Sequence, residues 1–121
     1  MGRILVVDDE ELVRETLCHM LEDAGYEVFE ATNGNEALQA FEEQKIDVVV
    51  TDIFMPEKEG LETIAELRQR KPDVKIIAVS GGGGDGKLDY LDFAKRFGAI
   101  SVLTKPFLRE QVLSAVKAIL D

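Results

Sequence analysis

The stretch DVVVTD at residues 47–52 determines the fold class of this 121-residue chain. Its unbroken β-branched residues indicate a central strand that is covered on both faces, as in a parallel sheet with helices on each side. The stretch RILVVDD at residues 3–9 has the same form, because apolar residues again lead into acids. If the two strands are parallel neighbours, Asp8, Asp9 and Asp52 share one small volume at their carboxyl ends.

Helical and extended patterns alternate along the rest of the chain. Further strands are predicted at residues 27–31, 75–80 and 100–104, and a turn at Asn33-Gly34. A helix is predicted at residues 60–70, and four others have their apolar faces within residues 13–24, 37–41, 90–97 and 108–119. Strands that alternate with helices require crossover connections and a parallel sheet. The pattern therefore predicts an α/β fold in which a strand-helix unit occurs five times, as a single domain over residues 1–121.

The composition narrows the classes of partner. With 24 acidic and 14 basic residues, the net charge of −10 argues against nucleic acid or an anionic membrane as a direct ligand. A cation or a protein is the expected partner. The single cysteine, Cys18, fits a reducing compartment, and no apolar stretch is long enough for a signal peptide or a membrane span, so a cytoplasmic location is predicted.

Charge at the predicted carboxyl edge points to a metal and to phosphoryl transfer. At a separation of about 4 Å and an effective dielectric of about 20, two carboxylates repel by about 4 kcal/mol. Ser80 ends the strand at residues 75–80 and Lys105 follows the strand at residues 100–104, so a hydroxyl and one ammonium reach the same edge. Oxygen ligands without histidine or thiolate favour Mg²⁺, which is typically shared with a phosphate. A carboxylate can then be the nucleophile that forms an aspartyl phosphate.

Two simpler interpretations compete with this one. Asp8-Asp9 could cap the helix that follows, because carboxylates suit a helix N-terminus. The letters from Gly81 to Gly86-Lys87 match a phosphate-binding P-loop between a strand and a helix, but Leu88 stands where a serine or threonine must hold the metal. A glycine-rich loop that permits movement is the better interpretation.

Taken together, these motifs resemble those of the response-regulator receiver domains of two-component signalling. The matches are Asp8-Asp9, Asp52 within TDIFMP, Ser80, and Lys105-Pro106 followed by a phenylalanine. The resemblance covers essentially the whole chain and implies a flavodoxin-like doubly wound fold with strand order 2-1-3-4-5. It also implies that Asp52 accepts a phosphoryl group from a sensor histidine kinase or a phosphotransfer protein.

The resemblance further implies a role for each site residue. Mg²⁺ is expected to bind Asp9, Asp52 and the backbone carbonyl of Phe54, with Asp8 acting largely through water. Lys105 is expected to contact the phosphoryl oxygens.

Ser80 is expected to move toward the phosphoryl group on activation, and the Lys105-Pro106 bond to be cis. The chain is then a switch rather than an enzyme, and it acts on a downstream protein target that remains unknown. As a monomer or weak homodimer, it would use the fourth predicted helix, the fifth strand and the last helix as its contact surface.

Three features depart from the family pattern. Val102 stands where many receivers carry an aromatic residue that rotates on phosphorylation, so another element must report the signal. The surplus length in the loop of Gly81, Gly82, Gly83 and Gly84 suggests the hypothesis that ordering of this loop replaces the aromatic residue. The apolar ring of Phe54 is expected to hinder attacking water and to slow the loss of phosphate.

Two other functions remain open from the sequence. A Mg²⁺-dependent phosphohydrolase could use Asp52 as a turnover nucleophile, but it would need a general acid two residues later, where Phe54 stands. A receiver-like interaction module that is never phosphorylated would not need the full set of acids, hydroxyl and lysine.

Overall fold

The computed structural model describes residues 2–52, 60–80, 98–104 and 107–120. Its elements in chain order are β1 (Arg3–Val7), α1 (Glu11–Asp23), β2 (Glu27–Ala31), α2 (Gly34–Glu43), β3 (Val48–Asp52), α3 (Gly60–Arg70), β4 (Lys75–Ser80), β5 (Ser101–Thr104) and α4 (Arg109–Leu120). The helix predicted at residues 90–97 lies outside the described residues, so the last helix is labelled α4.

The five strands form one parallel sheet in the order β2-β1-β3-β4-β5. This is the strand order of flavodoxin-like doubly wound proteins, and it confirms the predicted fold class. The order reverses between β1 and β3, so the crevice that binds ligands in such sheets lies at the carboxyl ends of these two strands.

Alternate residues of the strands pack into two hydrophobic cores on opposite faces of the sheet. One face packs against α2 and α3 and the other against α1 and α4. The core on the α2 and α3 side includes, from strands and then helices, Leu5, Val7, Val49, Ile76, Ala78, Ala37, Leu38, Ile64 and Leu67. The core on the α1 and α4 side includes, in the same order, Ile4, Val6, Val50, Ile77, Val79, Leu17, Leu21, Val112 and Val116. Because both faces of the central strands are covered, β1, β3 and β4 contain buried apolar residues at successive positions, whereas the edge strand β2 exposes Glu27 and Glu30.

Three local predictions were wrong in detail. Asn33-Gly34 begins α2, because the Asn33 side chain accepts a hydrogen bond from the Glu36 backbone N–H at 2.9 Å and so caps the helix. Ile100 precedes β5 and is 54% exposed. Leu108 lies just before α4, where its backbone carbonyl accepts the first hydrogen bonds of the helix, and it is 67% exposed instead of buried.

In the described part of the chain, each helix is too short or too polar to cross a membrane.

Candidate functional site

Two acids meet where β1 and β3 end. Val7 lies opposite Thr51 in the parallel register, so Asp8 and Asp52 follow at the same level on neighbouring strands. Asp8 is 1% exposed and Asp52 is 4% exposed, whereas most aspartates in folded proteins lie in water. This part of the predicted site is therefore assembled by the sheet itself.

A third carboxylate completes a group that could hold a metal ion. One carboxylate oxygen each from Asp8, Glu10 and Asp52 lies within 4.8 Å of the other two. Glu10 is exposed and reaches the buried pair from the solvent side. Asp9, the direct metal ligand implied by the resemblance, is exposed and lies outside this group.

The turn between β1 and α1 explains why Glu10 was missed. The Glu10 backbone N–H donates a 2.9 Å hydrogen bond to Asp8 Oδ1, so the chain bends back over Asp8 as α1 begins. This is a turn contact between residues two apart, because Glu10 is the N-cap of α1; the interpretation of Asp8 as the helix cap was therefore wrong. The one signal in the sequence was that acids continue through Glu10 and Glu11, but only the turn determines which of them faces Asp52.

Main-chain contacts hold this turn against the sheet. The Asp8 backbone N–H donates to the Ala31 carbonyl at 3.2 Å, which extends the pairing of β1 with β2 by one residue. The Asp8 carbonyl in turn accepts a 3.0 Å hydrogen bond from Arg14 Nη1. On β3, the buried Thr51 hydroxyl donates to the Asp52 carbonyl at 3.0 Å.

The charges of this group fit a hard divalent cation. At 4.8 Å and an effective dielectric of about 20, the buried Asp8–Asp52 pair repels by about 3 kcal/mol when both acids are ionised. Burial also removes much of the water that would otherwise solvate the two charges. The donors are carboxylate oxygens without a histidine or thiolate among them, which is the ligand set that Mg²⁺ accepts.

Of the remaining predicted site residues, Ser80 and Val102 are described by the structure and the others are not. Ser80 is the last residue of β4 and lies opposite Thr104 of β5, one position beyond the level of Asp52, so its backbone reaches the same edge. Val102 pairs with Ala78 and packs, half-buried, against the core on the α2 and α3 side. Outside the described residues lie Phe54, Gly81, Gly82, Gly83, Gly84, Lys105 and Pro106, and with them the predicted cis bond.

The Cys18 thiol and the Glu36 carboxyl have shifted pKa values. Burial raises the pKa of the Cys18 thiol in α1 to about 12, and neighbouring acids reinforce the shift. The pKa of Glu36 at the start of α2 lies below its ordinary value, chiefly because its carboxylate accepts a hydrogen bond from the Thr32 backbone. Neither residue belongs to the carboxylate group.

Comparison with known proteins gives the family. The family profile described as "Response regulator receiver domain" matches residues 4–117. The chemotaxis protein CheY of Listeria monocytogenes is 37% identical over 118 residues, which are 97% of this chain and 97% of that protein. Sensor kinase CckA of Brucella abortus is 40% identical over 120 residues, which are 98% of this chain but 12% of that protein.

A solved receiver structure has the same fold as this chain and aligns with it over nearly the whole of both chains. The CheY-like response regulator receiver domain protein from Methanospirillum hungatei JF-1 superposes with a TM-score of 0.91 at 30% identity, covering 100% of this chain and 94% of that one. The chain belongs to the response regulator receiver domains, the phosphoacceptor modules of two-component signalling.

Proposed function

We propose that Asp52 is the phosphoacceptor of this receiver domain. The observation that carries the proposal is the burial of its carboxylate, within 4.8 Å of two other carboxylates, at the carboxyl edge of the sheet. An Asp52 oxygen attacks the phosphorus of a phosphohistidine, the phosphorus–nitrogen bond breaks, and the imidazole leaves as an aspartyl phosphate forms. The family membership supports this reaction.

The carboxylates of Asp8, Glu10 and Asp52 would hold Mg²⁺, with Asp9 able to contribute from the solvent side. When bound, the ion would supply the positive charge that offsets the phosphoryl oxygens. Asp8 and Glu10 therefore serve to bind the cation, and Asp52 alone carries the nucleophilic oxygen. By the family resemblance, Lys105 pairs with the phosphoryl oxygens and Ser80 hydrogen-bonds to them.

The phosphoryl donor is proposed to be a sensor histidine kinase or a phosphotransfer protein. Two relatives that contain a matching segment carry sensor-kinase names, CckA and the CAI-1 autoinducer sensor kinase/phosphatase CqsS of Vibrio cholerae. The output is proposed to be a change in a protein-binding surface formed by residues 90–97, β5 and α4. The chain would act in the cytoplasm as a switch and would release phosphate only by slow hydrolysis of its own aspartyl phosphate.

Intact mass spectrometry after incubation with acetyl phosphate and Mg²⁺ tests the role of Asp52. The wild-type chain is expected to gain one phosphoryl group, and the Asp52→Ala variant none. Asp73→Ala is the matched control, because Asp73 is an exposed acid between α3 and β4. A gain that persists in Asp52→Ala would refute the assignment, and rapid turnover of a small phosphoester would favour the phosphohydrolase.

The rate of phosphate loss tests the expectation for Phe54. Replacing the apolar ring by a polar amide in Phe54→Asn should let water approach the phosphorus in line with the bond that breaks, and so accelerate dephosphorylation. The decay of the phosphorylated mass with time measures this rate. An unchanged rate would contradict the expectation.

A further inference from the structure

Arg14 connects the turn of the carboxylate group to the neighbouring strand. Its side chain is 14% exposed. Nη1 donates to the Asp8 carbonyl at 3.0 Å, and Nε lies 3.0 Å from Oε1 of Glu30 in β2. The Arg14 backbone N–H also donates to the Glu10 carbonyl at 3.0 Å. One residue therefore contacts the main chain of two of the three residues that supply carboxylates.

The Asp8 carbonyl is a sensitive place for such a contact. It belongs to the peptide that joins Asp8 to Asp9, and a change in the direction of this peptide would shift the main chain that connects Asp8 to Glu10. The planar guanidinium holds two acceptors in a fixed relative orientation, which a flexible ammonium does not. Glu30 holds the guanidinium of Arg14 through Nε, and Nη1 of the same guanidinium then fixes the direction of the Asp8 carbonyl.

The charge of Arg14 and a role in positioning the carboxylates predict opposite effects on Mg²⁺ affinity when Arg14 is removed. A cation beside a Mg²⁺ site disfavours the metal by repulsion, so charge alone predicts that loss of Arg14 tightens Mg²⁺ binding. A positioning role predicts weaker binding, because the Asp8 and Glu10 carboxylates would have to be ordered when the ion binds.

We propose that Arg14, held by Glu30, is a positioning residue for the Mg²⁺ site of this receiver domain. It fixes the Asp8 peptide so that the carboxylates of Asp8 and Glu10 stay within reach of Asp52. This inference rests on the proposed function of the carboxylate group. Partners in the shell behind metal ligands typically change metal affinity by about tenfold or more when they are removed.

The chain contains a matched control at the other end of the same two strands. Arg3 Nε lies 3.0 Å from Oε1 of Glu27, the same atoms at the same distance as in the Arg14–Glu30 pair. Arg3 and Glu27 are the first residues of β1 and β2 and pair in the sheet, whereas the carboxylate group lies where β1 ends. Variants that lose the Arg3–Glu27 ion pair show how far the loss of a surface contact between β1 and β2 changes Mg²⁺ binding when the carboxylate group is left intact.

The experiment compares Arg14→Lys, Arg14→Gln and Glu30→Gln with Arg3→Lys and Glu27→Gln. Calorimetric titration with Mg²⁺ gives the Kd, and intact mass after acetyl phosphate gives the phosphorylation rate at each Mg²⁺ concentration. The Arg14 and Glu30 variants are expected to raise the Kd for Mg²⁺ by about tenfold. Their rate at saturating Mg²⁺ should equal that of the wild type, and the control variants should keep the wild-type Kd.

Three results would overturn the inference: an unchanged Kd in the Arg14→Lys and Glu30→Gln variants, tighter binding in Arg14→Gln, or an equal change in the Arg3 and Glu27 controls. Thermal unfolding in chelator shows whether each variant is folded, and if the Arg14 variants are not, Glu30→Gln decides alone. A wild-type chain that neither binds Mg²⁺ nor gains a phosphoryl group would refute the proposed function itself.

Discussion

Neutralising Asp52 should stabilise the fold when Mg²⁺ is absent. The Asp52→Asn variant keeps the shape of the side chain and removes one charge from the buried pair with Asp8. The repulsion between these carboxylates is about 3 kcal/mol at 4.8 Å and an effective dielectric of about 20. Salt and nearby water screen the pair, so we expect a stabilisation of about 1 to 3 kcal/mol.

The expected change in Tm follows from the size of the chain. An unfolding entropy of about 2.1 cal/mol/K per residue gives about 250 cal/mol/K for 121 residues. One kcal/mol then corresponds to about 4 °C, so the variant should unfold about 4 to 12 °C above the wild type in chelator. At ten times its Kd, Mg²⁺ adds about 1.4 kcal/mol, or about 6 °C, to the wild type and clearly less to the variant.

Thermal unfolding followed by circular dichroism at pH 7, in chelator and in Mg²⁺, measures both quantities. Asp73→Asn is the control, because it removes an exposed carboxylate outside the group and should leave both values near those of the wild type. The reasoning is refuted if Asp52→Asn unfolds at or below the wild-type Tm in chelator. It is also refuted if Mg²⁺ raises the Tm of both proteins equally.

Four further predictions concern α1, α2 and the segment that precedes β5. Cys18, with a pKa of about 12, should react with iodoacetamide at pH 8 far more slowly in the folded chain than in the urea-unfolded chain, and equal rates would contradict its burial. Asn33→Ala should lower the free energy of unfolding by about 1 kcal/mol through loss of the α2 cap, measured by urea denaturation. Folding lowers the pKa of Glu36, so the ionised side chain stabilises the fold fully above its unfolded pKa of 4.5, and this stabilisation is lost as the pH falls through the folded pKa. The loss of stability caused by Glu36→Gln should therefore shrink in acid. A difference in stability that does not change with pH would contradict this. Gly98→Ala should cost about 1 to 3 kcal/mol in urea denaturation, because Gly98 has φ of +124° and a Cβ there would also overlap the Arg68 side chain; wild-type stability would contradict this.

Much of the fold could be predicted from the sequence because its strands are buried on both faces. Continuous apolar runs predicted β4 with its observed bounds and β3 to within one residue, and Gly25 after α1 adopts the positive φ of a helix end. The errors fell at element boundaries. Asn33 became a helix cap where a turn was expected, and Leu108 stayed outside the core, because capping contacts and the packing of the neighbouring segment decide such positions.

By itself, the sequence determined that Asp8 and Asp52 would meet, since parallel β1 and β3 both end in acid and their carboxyl ends share one edge. Which other acid joins them was decided only by the tertiary structure. The turn after β1 bends back through the Glu10 hydrogen bond to Asp8, so Glu10 reaches the buried pair while Asp9 faces solvent. The contact of Arg14 in α1 with the Asp8 carbonyl is likewise a product of tertiary structure, because its side chain pairs with Glu30 in β2, 16 residues along the chain. Strand ends are set by hydrophobic periodicity, whereas the direction of a side chain in a turn depends on contacts between residues far apart in sequence.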